Sequence, residues 1–204
     1  MHGQMIQRSL ACVGFMLILS TVASAQQVIR VRGTVERLEA QTLFVKTREG
    51  PSVIIKLADN YGVTGVVAAS LADIKPGSYV GAAALPQPDG TQRAIEVLIF
   101  PEALRGFGEG FRPWDLVPQS TMTNATVAEI VTRVEGATLT LKYKDGEKTV
   151  VVPPEAPVVT FVPAEKSELK PGAKIFIGAA TKQTDETLSA ARVNVGLGGL
   201  TPPM

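Results

Sequence analysis

The sequence predicts an all-β protein made of two small barrels in tandem, and three observations carry that prediction. Valine and threonine recur in short runs that alternate apolar with polar residues; 19 glycines and 14 prolines punctuate those runs; and much of the chain repeats itself about 96 residues further on. Alternation with period 2 is the signature of a strand that buries one face. Gly and Pro clusters between such runs supply the turns.

The repeat consists of three blocks in the same order. Thr42 to Gly50 (TLFVKTREG) matches Thr138 to Gly146 (TLTLKYKDG) at a shift of 96. Asp73-Ile74-Lys75-Pro76-Gly77 matches Glu168-Leu169-Lys170-Pro171-Gly172 at a shift of 95. Asp89, Thr91, Ala94 and Val97 match Asp185, Thr187, Ala190 and Val193, again at 96. Ordered blocks at nearly constant spacing point to an internal duplication. The chain then divides into a signal peptide (1–25), a first repeat (26–100), an interdomain segment (101–125), a second repeat (126–197) and a flexible tail (198–204).

Residues 1–25 have the layout of a secretory signal. A short stretch ending in Arg8 precedes an apolar run from Leu10 to Val22, and Ala23-Ser24-Ala25 is a small-residue cleavage site. The run falls short of the roughly 20 residues of a membrane-spanning helix. Leu10-Ala11-Cys12 resembles a lipidation box, but the apolar stretch follows Cys12 instead of preceding it, which favours ordinary secretion. Secretion places the mature protein in the periplasm, with no transmembrane segment. His2 and Cys12, the only histidine and cysteine, leave with the signal. The mature chain therefore lacks imidazole and thiol nucleophile chemistry, His or Cys metal sites, and disulfides.

Within the first repeat, Ile29, Val31, Gly33 and Val35 alternate with Arg30, Arg32, Thr34 and Glu36, giving a first strand. Leu43 and Val45 continue the pattern, and after the Glu49-Gly50 turn so do Val53, Ile55 and Leu57. A Gly-containing stretch from Tyr61 to Ala69 leads to Leu71-Ala72-Asp73-Ile74, long enough for one helical turn. Lys75-Pro76-Gly77 turns the chain into a strand from Tyr79 to Leu85. Pro88-Asp89-Gly90 then makes a hairpin whose return strand carries Ile95, Val97 and Ile99. A long first strand, a meander, a helical break and a closing hairpin suggest a barrel of the OB type, with an open β-sandwich as the alternative.

The segment between the repeats is the most distinctive part of the chain. Gly106 to Asp115 combines three alternating glycines, two phenylalanines, Arg112 and the only tryptophan, Trp114. Flexible linkers avoid large aromatics, so this one is expected to be ordered. One reading makes it a ligand platform: Trp114 stacks on a planar group, Arg105 or Arg112 pairs with an anion, and Glu109 or Asp115 accepts hydrogen bonds. The other, favoured because a lone Trp beside Pro usually serves packing, makes it an interdomain clasp. The Gly-x-Gly-x-Gly spacing is no dinucleotide fingerprint, since Pro113 and Pro118 preclude the helix that fingerprint opens.

Phe100-Pro101-Glu102, Gly108-Glu109-Gly110, Arg112-Pro113-Trp114-Asp115-Leu116 and Ser120 to Ala125, set between the two repeats, give the mature chain a family resemblance. It resembles a group of uncharacterised exported proteobacterial proteins with two OB-like domains of unknown function. Some of those carry an automatic label of metal ABC transporter permease, which the lack of a membrane span after the signal does not support. The resemblance implies fold and export, not activity.

The remaining features exclude more than they assign. With Arg8 removed, the 20 Lys and Arg balance the 19 Asp and Glu, so nothing electrostatic draws the protein to nucleic acid. No acidic spacing matches a calcium loop, and Asp59-Asn60 and Asp89-Gly90 read as turns. Glu102, Glu109 and Asp115 are near enough in sequence for a carboxylate hydrolase, though no spacing selects a pair. The expected function is a non-catalytic binding or adaptor module of the bacterial envelope. It needs no cofactor, and its partner is a cell-wall glycan or an envelope protein. A purely structural protein is the alternative.

Overall fold

The computed structural model describes residues 28–134 and 136–204; the expected signal peptide lies outside them. Twelve strands dominate it: β1 (Val28–Glu39), β2 (Thr42–Thr47), β3 (Ser52–Ala68), β4 (Tyr79–Pro86), β5 (Gln92–Ile99), β6 (Gly110–Pro113), β7 (Thr121–Arg133), β8 (Gly136–Tyr143), β9 (Gly146–Val152), β10 (Val158–Pro163), β11 (Lys174–Lys182) and β12 (Leu188–Gly196). The only helical segments among the described residues are 3-10 turns of three residues each. One of these, Leu71–Asp73, is the expected helical break. Ser70 caps it and Asp73 reaches back to the Ser70 N–H.

The strands pair into two closed circuits. In the first, β1 pairs with β2, β2 with β3, β3 with β12, β12 with β11, and β11 with β1, closing a five-stranded barrel. In the second, β5 pairs with β4, β4 with β7, β7 with β8, and β8 with β9. A short parallel contact of Gln92 and Arg93 with Val150 and Val151 closes it. Antiparallel pairing of β3 with β10, and parallel pairing of β10 with β5, join the circuits into one sheet.

This pairing departs from the expected tandem arrangement. Residues 26–100 do not close on themselves, and neither do residues 126–197. Each circuit takes three strands from one half and a hairpin from the other: β11–β12 completes β1–β3, and β4–β5 completes β7–β9. The connections at the two crossings are alike. Gly77 donates its N–H to Val127 O and Val127 to Ser78 O, while Gly172 donates to Val35 O and Val35 to Ala173 O, all at 2.8 Å. The Lys-Pro-Gly turn of each half is thus tied to the long strand of the other. The two hairpins that complete the circuits also share a turn. Thr91 donates its N–H and hydroxyl to Asp89, as Thr187 does to Asp185.

Each circuit encloses its own apolar core. Val35, Leu43, Val45, Ile55, Ile177 and Val193 are buried in the first. Val80, Val97, Val127, Leu139, Leu141 and Val150 are buried in the second. Burying such a side chain is worth about 1.5–3 kcal/mol, so these residues supply most of the drive to close. A third cluster fills the seam between the circuits, with Val66, Tyr79, Leu98, Phe100, Val159, Phe176 and Met204 at its centre.

Three further expectations are corrected. Residues 121–125 belong to β7, not to the interdomain segment, because they pair with both β4 and β6. Asp59-Asn60 is not a turn. It lies in a bulge of β3, where Leu57 pairs with Ala190 but Gly62 already pairs with Arg192. The tail 198–204 packs instead of fraying: Pro202 and Met204 are buried, and Met204 O accepts a 2.6 Å hydrogen bond from Arg32 Nε.

Candidate functional site

β5 shows how the seam acquires polar groups. Ala94 and Val97 turn into the core of the second circuit, while Glu96 and Leu98 face the other way. A bulge makes this possible. Ala83 pairs with Glu96 and Ala84 with Ala94, leaving Ile95 as the extra residue. In an open sheet that outer face would meet water. Here β3, β10, β11 and the interdomain segment cover it, and Glu96 is fully buried.

Between the circuits lies a cavity of about 670 Å³, within the usual range for small-molecule sites. Leu98, Phe100, Met122, Phe161 and Phe176 make its apolar wall. Phe100 is the hub of the aromatics, with ring centroids 5.3 Å from Tyr79, 6.0 Å from Phe161 and 6.3 Å from Phe107. Gly81 lets this packing approach the sheet. A Cβ there would stand 2.8 Å from Asn124 Oδ1 and 3.1 Å from the Phe100 ring.

The expected site residues divide into three groups. Glu109, Arg112 and Trp114 line the cavity. The Arg30 guanidinium stacks 3.8 Å from the centre of the Trp114 ring and that of Arg112 lies at 5.6 Å, while Arg112 Nη1 donates to Gly108 O at 2.7 Å. Glu109 Oε1 accepts the Lys144 N–H at 2.9 Å. Asp115 stands behind the wall as an anchor, its oxygens 2.8 Å from Arg32 Nη2 and 3.4 Å from Arg30 Nη1. Burial raises its pKa, but the hydrogen bond and charge of Arg32, with the charge of Arg30, outweigh that and hold the carboxylate below its ordinary range. Arg105 lies apart and exposed, forked onto Glu102 and bonded to Gly77 O at 2.9 Å.

Three cavity residues escaped the sequence reading. Arg30 and Asn124 join the wall, and so does Glu96, whose pKa burial pushes up to about 8 against the opposing charge of Arg32. Glu96 did leave a trace in the sequence: it is the single charge in the apolar run Ala94 to Ile99. Of the six buried side-chain polar atoms without a protein partner among the described residues, all but Thr123 Oγ1 belong to residues of this wall. They are the oxygens Glu96 Oε1 and Oε2, which share one proton while the carboxyl is neutral, the acceptor Asn124 Oδ1, and the donors Arg30 Nε and Trp114 Nε1. Asn124 Nδ2 donates to Phe107 O at 3.1 Å, which fixes Oδ1 as the free end of that amide. Orphan buried polar atoms are rare in folded proteins, and here they cluster on the residues around one cavity.

Among the described residues no group of three or more acidic, His or Cys side chains is placed to hold a metal ion, and no helix is long and apolar enough to cross a membrane. In comparisons with protein families, characterised proteins and solved structures, nothing matches this chain.

Proposed function

We propose that this is a non-catalytic binding protein of the bacterial envelope, which holds a small amphiphilic molecule in the seam between its two β-circuits. The observation that carries the proposal is the cavity of about 670 Å³, apolar over most of its wall yet bordered by the orphan polar atoms of Glu96, Asn124, Arg30 and Trp114. Apolar walls with a few polar groups are what small-ligand sites offer. They suit a molecule smaller and greasier than a cell-wall glycan strand or an envelope protein. Export to the periplasm rests on the signal-like residues 1–25. The resemblance to exported proteins with two OB-like domains agrees with the duplicated turns, and we read the two halves as copies of one unit that have exchanged hairpins.

The three carboxylates that the sequence offers for a hydrolase are occupied. Glu102 holds Arg105, Glu109 holds the Lys144 N–H, and Asp115 holds two arginines, which supports binding over catalysis. The purely structural reading has its own support in the Arg30–Trp114 stack and the Asp115 anchors, which make the segment a clasp. Trp114 decides between them, because it is the only indole in the chain. Its emission is expected to shift and saturate on titration with medium-chain carboxylates and amines. Emission indifferent to these, to glycan fragments and to divalent cations would leave the segment a clasp.

A further inference from the structure

The unsatisfied atoms of the cavity sort by chemistry. Three are oxygens, on Glu96 and Asn124, all of them acceptors once Glu96 gives up its proton, and two are donors, on Arg30 and Trp114, with Leu98, Phe100, Phe161 and Phe176 lining the wall they share. A hydroxyl brings one donor, whereas an ammonium brings three and tolerates aromatic walls, whose ring faces attract it. The donor pair has the opposite preference. Two guanidiniums, those of Arg30 and Arg112, flank the Trp114 indole, and Asp115 pairs with Arg30 alone of the two. That leaves positive charge for an anion. Resting on the binding reading above, we infer that the ligand is a zwitterion: an ammonium group received by Glu96 and Asn124, and an anionic group received by Arg30, Arg112 and the Trp114 N–H, joined by an apolar spacer.

The Glu96 carboxyl is covered by its neighbours, so side chains of the wall shift when the ammonium reaches it. The charged groups around it are Arg32 on β1, whose field reaches it directly, and Arg30, Arg112, Arg192 and Glu109 around the cavity, with Asp115 behind them. Protons balance simply. The free ammonium and the free carboxylic acid each hold one that can be lost. In the complex a single proton is shared along the N–H···O contact, and the other goes to solvent. Because free Glu96 titrates at about 8, binding near neutral pH releases about one proton.

The test is isothermal titration calorimetry of the mature chain with straight-chain ω-amino carboxylates of graded length, and with the matching carboxylates and alkylamines. Runs at pH 6, 7 and 8 use buffers of different ionisation enthalpy. One length of amino carboxylate is expected to bind at least about tenfold more tightly than either single-headed analogue, a difference of about 1.4 kcal/mol. It releases about one proton, and its affinity rises from pH 6 to 8. Glu96→Gln is expected to abolish the proton release. The wild-type proton count stands without that variant. If a plain carboxylate binds as tightly, with no proton released, the ammonium subsite is overturned while the binding reading survives. Affinity that falls from pH 6 to 8 overturns it too, since Glu96 would then be donating its proton to an acceptor. If no probe binds at any length, the binding reading falls and the inference with it.

Discussion

Glu96 keeps its proton because folding strips the carboxyl of water and gives it no donor in return. Its folded pKa, about 8, lies above the ordinary 4.5, so the native state holds the proton more tightly than the unfolded chain. The stability this group permits is fully present below about pH 4.5 and declines as pH rises through about 8, by up to about 1.4 kcal/mol per pH unit. Urea denaturation at pH 5, 6.5 and 8 is expected to show that decline, and Glu96→Gln to flatten it. A wild-type slope equal to that of the variant would mean that the carboxyl finds a partner in solution. Trp114 poses a different question at this scale. Removing the Arg30 guanidinium from its face is expected to lower stability by about 1 kcal/mol and move the indole emission to the red. Arg30→Ala followed by circular dichroism and fluorescence checks both. Trp114 was legible in the sequence because a large aromatic in a Gly/Pro segment has to pack somewhere. Arg30 and Arg32 were not, because they occupy the polar positions of an alternating strand, and alternation does not say what covers them.

At the scale of elements, the turns and strand cores follow from the sequence, while strand ends follow from their partners. β3 illustrates this. Val53 to Leu57 alternate as a strand should, but the run from Tyr61 to Ala69 contains two glycines, which weaken a strand pattern. The strand nevertheless continues to Ala68, because β12 pairs with one edge of that stretch and β10 with the other. Glycine positions separate local from tertiary demands. A Cβ at Gly33 would lie 2.4 Å from Lys46 O and 2.6 Å from Val45 Cγ1, so β1 and β2 meet there only if the residue has no side chain. Gly90 has a φ of 85° with open space around it, so alanine there meets only backbone strain. Gly33→Ala is expected to cost at least about 2 kcal/mol and Gly90→Ala about 1 kcal/mol. Thermal melts of the two variants test that order, and a milder effect at Gly33 would mean that the β1–β2 contact opens easily.

The whole molecule is held together by hairpins that cross from one part of the chain to the other. Neither half can close a circuit alone, since β1–β3 lack their hairpin without residues 174–196 and β7–β9 lack theirs without residues 79–99. Fragments 26–100 and 101–204 are therefore expected to be unfolded when prepared separately, and to recover strand-like circular dichroism when mixed in equal amounts. The intact chain should unfold in one cooperative transition, because opening either circuit removes a hairpin from the sheet that builds the other. Separate transitions, or a folded fragment, would show that the circuits are independent.

The sequence by itself determined the all-β class, the positions of most turns, the repeated blocks and the presence of an ordered aromatic segment. Each of these depends on residues a few positions apart, where backbone preference and alternation act. Only the tertiary structure decided which hairpin completes which circuit, that Glu96 and Asn124 face a closed seam, and that Arg105 stays outside while Arg30 comes in. The reason is physical. Hairpins 96 residues apart carry the same turn and similar apolar faces, so nothing in the local pattern tells which of the two closes on a given half. That choice, and with it the burial of a carboxyl that local pattern would leave in water, is made by contacts that exist only when both circuits close together.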